Sequence, residues 1–179
     1  MRKAKWLIAC FLLVLCFFFG IALLLPSKVT VSKSIIINAP PLAVAGQIRD
    51  FNKWKNWYPA LQDKEVSVIN LENQKGSLPH SMELRDSKGH SIIYKMIQSS
   101  NDTTKIDLQT NHTNYQFITL LNDKQHTLLI WNINTTLGWY PWERIQGVIM
   151  DKIAGPAYIS TLQNLKETVE NYVQGSLTK

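Results

Sequence analysis

The sequence predicts an α+β domain: seven antiparallel strands in a curved sheet around a long C-terminal helix, preceded by one transmembrane helix. Three observations carry this expectation. Residues 6–25 contain no charged side chain. Seven short β-rich runs follow, most of them separated by Asn, Asp, Ser and Gly. Near the C-terminus the apolar spacing changes to three and four. Strands in hairpin order, with helices grouped apart, indicate an antiparallel sheet packed on helices.

The first element is the uncharged run. About 20 residues give roughly 30 Å of helix, the thickness of a hydrocarbon core, and a helix satisfies its own backbone groups there. Trp6 stands at one interface, where an amphipathic ring is favoured, and Pro26 closes the other end. Arg2, Lys3 and Lys5 precede the run, and Lys28 and Lys33 follow it. That bias sets the N-terminus on the cytoplasmic side and the domain outside. A cleaved signal peptide is the rival reading. Gly20-Ile21-Ala22 has the small residues, but Leu23-Leu24-Leu25 keep the site inside the apolar run. Leu7-Ile8-Ala9-Cys10 has the letters of a lipobox, yet only Trp6 separates it from the charged start. A buried core helix fits poorly, because the segment is apolar on every face. The division is an anchor at 1–27 and a domain at 28–179.

A chain of 179 residues suits one domain with a real core. Both cysteines, Cys10 and Cys16, fall in the apolar run. The domain therefore has no disulfide, thiolate metal site or cysteine nucleophile. The net charge of +6 falls to +3 without Arg2, Lys3 and Lys5. The remaining cations are scattered, without the basic stripe that nucleic acid requires. Weak attraction to anionic lipid headgroups is the more natural use of them.

In residues 28–37, Val29 and Val31 alternate with Thr30 and Ser32 before Ile35-Ile36-Ile37, the pattern of a strand. Asn38-Ala39-Pro40-Pro41 ends it, and proline suits the first turn of a helix. Val44, Ile48 and Phe51 make one helical face; Trp54, Trp57 and Tyr58 continue into a short helix or turn closed by Pro59. Six further strands are expected at 65–71, 79–85, 91–97, 105–110, 115–121 and 127–134. Turn chemistry at 73–76, 86–89, 99–102, 111–114 and 122–124 separates them. A short helix at 143–153 is expected to break at Ala154-Gly155-Pro156. In the long helix after it, Ile159, Leu162, Leu165, Val169 and Tyr172 form the apolar face, and Lys166, Glu167 and Glu170 the wet one. One helix of about 10–12 Å diameter does not fill a strongly twisted seven-stranded sheet, so a cavity between them is expected.

Three sets of residues resemble a known family. Ile37-Asn38-Ala39-Pro40-Pro41, Val44, Asp50-Phe51, Trp54 and Trp57 look like the opening signature of the SRPBCC proteins, the START-like, polyketide cyclase-like helix-grip domains. Trp131, Gly138, Pro141, Arg144, Met150-Asp151-Lys152 and Gly155-Pro156, with Leu162 and Leu165, resemble the C-terminal segment of membrane-anchored SRPBCC proteins of bacteria. Leu24-Leu25-Pro26-Ser27-Lys28-Val29 is similar to their junction between anchor and first strand. The middle strands match in pattern only and lack the glycine and tryptophan pattern that many members carry. The resemblance implies a helix-grip fold, an apolar pocket, a greasy small-molecule or lipid ligand, and a bacterial plasma membrane. It speaks for fold more than for function.

The aromatic residues are the functional lead. The residues expected to touch a ligand are Trp54, Trp57, Tyr94, Met96, Tyr115, Phe117, Trp131, Trp142, Tyr158 and Leu162. Pockets for greasy ligands are walled in this way, but a core needs the same side chains. The clusters around Trp57 and around Trp139, Tyr140 and Trp142 also suit a membrane interface. His80, His90, His112 and His126 show no metal-ligand spacing and read as loop histidines. No phosphate loop, nucleophile elbow or paired-carboxylate motif is present, and no cofactor or catalytic residue is assigned. Asp50, Glu143, Arg144 and Asp151 read as caps or local ion pairs. Asn101, Asn111 and Asn134 head Asn-x-Ser/Thr triplets of the kind common by chance.

The expectation is a membrane-tethered module that binds a hydrophobic small molecule or lipid between sheet and C-terminal helix, with no nucleic-acid partner. The alternatives are a cyclase, aromatase or hydrolase, which needs titratable groups in the pocket, and an interaction domain with a filled interior and an exposed apolar patch.

Overall fold

The computed structural model describes the chain apart from Met1, residues 74–78, Asn101, 109–112, 122–125 and 178–179; at 2, 4, 21–23, 73, 79, 121 and 176–177 it describes the backbone alone. The first helix, α1, spans Arg2–Leu24 and carries the uncharged run. Trp6, Leu7, Phe11, Leu13, Phe17 and Phe18 on it are all exposed. Among the described residues, no helix is long and apolar enough to cross a membrane. Ile21, Ala22 and Leu23, part of the expected 6–25 span, lie outside the described side chains.

Seven strands follow as expected. They are β1 (Lys28–Ile37), β2 (Val66–Asn73), β3 (Pro79–Asp86), β4 (Ser91–Ser99), β5 (Thr103–Leu108), β6 (Thr113–Leu121) and β7 (Thr127–Thr136). They form one sheet in the order β1-β7-β6-β5-β4-β3-β2, each pair antiparallel. Several boundaries differ by two residues, among them the start of β5. This strand begins at Thr103, because Thr103 and Thr104 already pair with Ile118 and Phe117 and Thr104 turns inward. Both are β-branched and fit a strand as well as a turn.

The register sorts the two faces. Val31 lies opposite Ile133 and Ile35 opposite Leu129. On the outer face Thr30 donates to Asn134 at 2.8 Å, Ser32 to Asn132 at 2.7 Å and Asn134 to Asn114 at 3.2 Å. Register shifts at Val68/Asn70, Glu72/Asn73 and Met96/Gln98 mark bulges, which increase the twist and bend the sheet.

Helix α2 (Pro41–Arg49) has Pro41 in its first turn and buries Val44, Ala45 and Ile48. A 3₁₀ turn at Phe51–Asn56 follows; the Asp50 carboxylate caps it by accepting from the Asn52 N–H at 3.1 Å. A second such turn spans Pro59–Leu61.

The C-terminal element, α3, runs unbroken over Pro141–Leu177. This corrects the expected break at residues 154–156. Proline removes one hydrogen bond and crowds the carbonyl four residues earlier. Pro156 and Lys152 both lie on the exposed side, where water takes up that carbonyl. Packing holds the helix on either side of the proline: Gly155 sits against the Lys33 side chain, and Leu162, Leu165 and Val169 are buried.

The second half of α3, α2 and the first 3₁₀ turn fill the concave face of the sheet. Trp54, Trp57 and Trp131 are fully buried there. Phe117 stacks on Trp131 at 5.2 Å, and Trp54 packs on Trp57 at 4.9 Å. This part of the sheet–helix interior, where a cavity was expected, is packed with aromatic side chains.

Candidate ligand-binding site

The open space lies further along the same helix. Between residues 141 and 155 of α3, only Pro141, Gly147 and Gly155 are buried, so this half meets the sheet through small residues. A Cβ on Gly147 would run into the Leu137 side chain and lie 3.0 Å from Val29 Cγ2. Glycine is therefore what lets the helix approach the β1–β7 end so closely.

Beside that contact is a cleft of about 730 Å³. Its sheet side is Thr113, Thr135 and Thr136, followed by Leu137 and Gly138. Its helix side is Tyr140, Glu143, Gln146, Gly147, Met150, Ile153 and Ala154. The Thr113 and Thr135 hydroxyls are 3.1 Å apart. The lining is mixed: hydroxyls, an amide and a carboxylate stand among aliphatic side chains and Met150.

Three contacts fix the cleft's rim. Arg144 donates from Nε to the Gly138 carbonyl at 2.8 Å and from Nη1 to the Leu25 carbonyl at 2.5 Å. The Leu137 N–H donates to the Ser27 carbonyl at 2.8 Å. On the adjoining face Lys33 pairs with Asp151 at 2.8 Å.

A second groove, about 600 Å³, runs between α1 and α3. Phe11, Val14, Leu15, Phe18 and Phe19 line one side; Pro141, Trp142, Ile145, Gln146 and Ile149 line the other. Gln146 borders both spaces. At its end Trp139, Tyr140 and Trp142 stack in series, at 4.6 and 4.7 Å, with Phe19 at 6.2 Å from Trp139.

The structure separates the ten expected ligand contacts. Trp54, Trp57, Tyr94, Met96, Tyr115, Phe117, Trp131 and Leu162 are buried together in the core. Tyr158 is half-buried with its ring 5.2 Å from Trp131. Trp142 is 61% exposed beside α1. None of the ten is among the residues that line the 730 Å³ cleft.

The core carries polar chemistry of its own. Tyr58 OH lies 3.2 Å from Tyr94 OH and 3.4 Å from Tyr115 OH. Burial pushes Tyr58 well above the usual tyrosine range, and the neighbouring Tyr115 and Tyr94 add to it. Burial likewise raises Tyr94, Tyr115 and Tyr158. These hydroxyls stay protonated at neutral pH. The indole N–H groups of Trp57 and Trp131 are buried without a partner among the described residues.

The other polar candidates are local. Asp50 is a cap, Asp151 an ion-pair partner and Arg144 a clamp. His90 lies 3.0 Å from the Asp86 carboxylate in the turn closed by Gly89, whose φ of 87° suits glycine. The Asp86 carboxyl is held below the usual range by its hydrogen bonds to His90. His112, Asn101 and Asn111 lie outside the described residues. Among the described residues no group of three His, Cys, Asp or Glu side chains is placed to hold a metal.

Sequence reasoning singled out Tyr140, Gly138, Glu143 and Met150 in other connections, but missed Thr113, Thr135, Thr136, Leu137 and Gln146 as a lining. The available signal was the run of small residues Gly147, Ala154 and Gly155 on one side of a helix, which leaves room beside a sheet.

A meander whose first strand returns to pair with its last, wrapped on a long C-terminal helix, defines the helix-grip class. The chain belongs to the family described as polyketide cyclase / dehydrase and lipid transport, which it matches over residues 28–170. A START superfamily protein from Mycobacterium smegmatis has the same fold, with 19% identity, 80% of this chain and 99% of the other covered, and a TM-score of 0.61. The Zhui aromatase/cyclase from Streptomyces sp. R1128 follows at 13% identity, 82% and 96% coverage and a TM-score of 0.58. A Thalictrum flavum norcoclaurine synthase point mutant has 10% identity, 81% and 96% coverage and a TM-score of 0.59. These likenesses concern the fold. No curated protein matches the sequence.

Proposed function

We propose that the protein binds a hydrophobic or amphiphilic small molecule, a lipid in the first instance, in the cleft between the first half of α3 and the β6–β7 end, while α1 tethers it to a bilayer. The observation that carries this reading is the mixed lining. Leu137, Met150, Ile153 and Ala154 offer apolar contact; Thr113, Thr135, Gln146 and Glu143 offer hydrogen bonds to a polar head. The family description, which includes lipid transport, supports it.

In this reading the packed aromatics are the rigid wall behind the site. Tyr158, one turn beyond Ala154 on the same helix, packs on Trp131 and joins that wall to the helix. The tether draws support from the uncharged run 6–25, the exposure of α1 side chains and the two-residue linker Pro26-Ser27. The cations at Arg2, Lys3 and Lys5 favour an N-terminus inside and a domain outside the cytoplasm.

One observation favours a second reading, an enzyme of the cyclase type: Glu143 and Tyr140 border the cleft, and the similar structures include an aromatase/cyclase. A catalyst loses turnover on Glu143→Gln while still binding substrate; a binding module has no turnover to lose.

Native mass spectrometry of the full chain, released from detergent after incubation with a mixed lipid extract, tests the proposal. A reproducible added mass is expected. A clean apo mass, with no uptake from any lipid class, would overturn it.

A further inference from the structure

Two apolar helix surfaces lie side by side here, and a simple tether accounts for only one. Trp139 meets Phe19, and from there the groove extends to Ile149 on α3 and back to Phe11 on α1. The two helices therefore run antiparallel over about two turns. Away from the sheet, α3 shows Trp142, Ile145, Val148 and Ile149, from 39% to 61% exposed, with the exposed Lys152 beside them. On a water-facing helix this side is charged or polar.

The chemistry of the surroundings selects the occupant. A partner protein covers one side of a helix, but the apolar side chains of α1 are exposed around its circumference: Leu7, Ile8, Leu12 and Leu13 point in different directions, each 55% exposed or more. Hydrocarbon wets a helix on all sides, and the α3 strip continues that surface. Trp139, Tyr140 and Trp142, stacked where α1 ends, are residue types that settle at headgroup level. The cleft opens on the other flank of the same turns, across Gln146.

We propose that residues 139–153 contact the bilayer beside α1 as a second membrane surface, so that the cleft opens toward the lipid. This rests on the reading of α1 as a tether. It gives the ligand a lateral route from the membrane past Gln146, with no passage through water.

Spin-label accessibility on the full chain in phosphatidylcholine vesicles tests it. One variant keeps Cys10 as the label site, with Cys16→Ser. Two others carry Cys10→Ser and Cys16→Ser with either Val148→Cys or Asn171→Cys, both at exposed positions. The expected result is a Cys10 label reached by oxygen and not by a water-soluble nickel complex. The label at Val148 is expected to show an oxygen-to-nickel ratio several-fold above that at Asn171. A deep Cys10 label with Val148 as nickel-accessible as Asn171 would overturn the inference and leave the tether standing. A nickel-accessible Cys10 label would overturn both. A Val148 label shielded from both reagents would mean that a second copy covers the strip, which also overturns it.

Discussion

The guanidinium of Arg144 bridges the Leu25 carbonyl at 2.5 Å and the Gly138 carbonyl at 2.8 Å, joining the end of the N-terminal segment to the loop that opens α3. The Ser27–Leu137 backbone hydrogen bond closes the same junction. Hydrogen bonds from a charged group contribute about 1.5–3 kcal/mol. Arg144→Met is therefore expected to cost about that much locally and to speed amide exchange at Leu137. Asp151→Asn removes the ion pair to Lys33, whose acidic partner is 61% exposed. It is expected to change stability by less than about 1 kcal/mol. Exchange at Leu137 unaffected by Arg144→Met would show that the clamp does not hold the junction.

Two glycines in helices make a matched pair. A Cβ at Gly46 meets nothing within 4 Å, whereas one at Gly147 meets Leu137 and Val29. Gly46→Ala is expected to stabilise by about 0.5–1 kcal/mol through helix propensity. Gly147→Leu gains a similar propensity term but overpacks the contact by about 1–3 kcal/mol, for a net loss. Urea midpoints of the two variants, moving in opposite directions, are the check.

Trp131 separates volume from hydrogen bonding. Its ring stacks on Phe117 and its N–H is buried without an acceptor among the described residues. Trp131→Ala is expected to destabilise by about 3–5 kcal/mol. Trp131→Phe loses some volume but also removes a desolvated donor that costs about 1–3 kcal/mol, so a much smaller loss is expected. Equal losses in thermal unfolding would show that the indole N–H carries no penalty.

The buried tyrosines set an alkaline limit. Tyr58, Tyr94 and Tyr115 have folded-state pKa values above the ordinary value of about 10. Below pH ~10 they are protonated in both states and add no pH dependence. Above it the unfolded chain releases these protons first. Stability then falls by up to about 1.4 kcal/mol per pH unit for each group until the folded pKa is reached. The phenolate absorbance of these three is expected to appear together with loss of tertiary structure, not before it. Their ionisation in a still-folded protein near pH 10 would contradict the buried placement.

Most of the fold was legible because strand alternation and helical spacing are local signals. Val29 and Val31 against Thr30 and Ser32 marked β1, and Leu162, Leu165 and Val169 marked the packed face of α3. The unbroken helix was not legible. Pro156 reads as a breaker, and only its exposed position makes it tolerable. The cleft was only partly legible. A single aromatic reads more readily as core than as ligand contact, and here eight of the ten expected residues are core, including Trp54 and Phe117. Thr113, Thr135 and Gln146 converge only through strand register and helix placement, which no short window of sequence contains.

The most direct test of the central claim is ligand binding by Ala154→Trp beside the native chain. Ala154 lines the cleft, and an indole there occupies much of it without entering the aromatic core. Equilibrium titration of both full-length proteins with the lipid class found by mass spectrometry is the measurement, with circular dichroism to verify that both are folded. Loss of saturable binding in the folded variant is the expected result. Undiminished binding by a folded Ala154→Trp protein would contradict the account and move the site elsewhere on the domain.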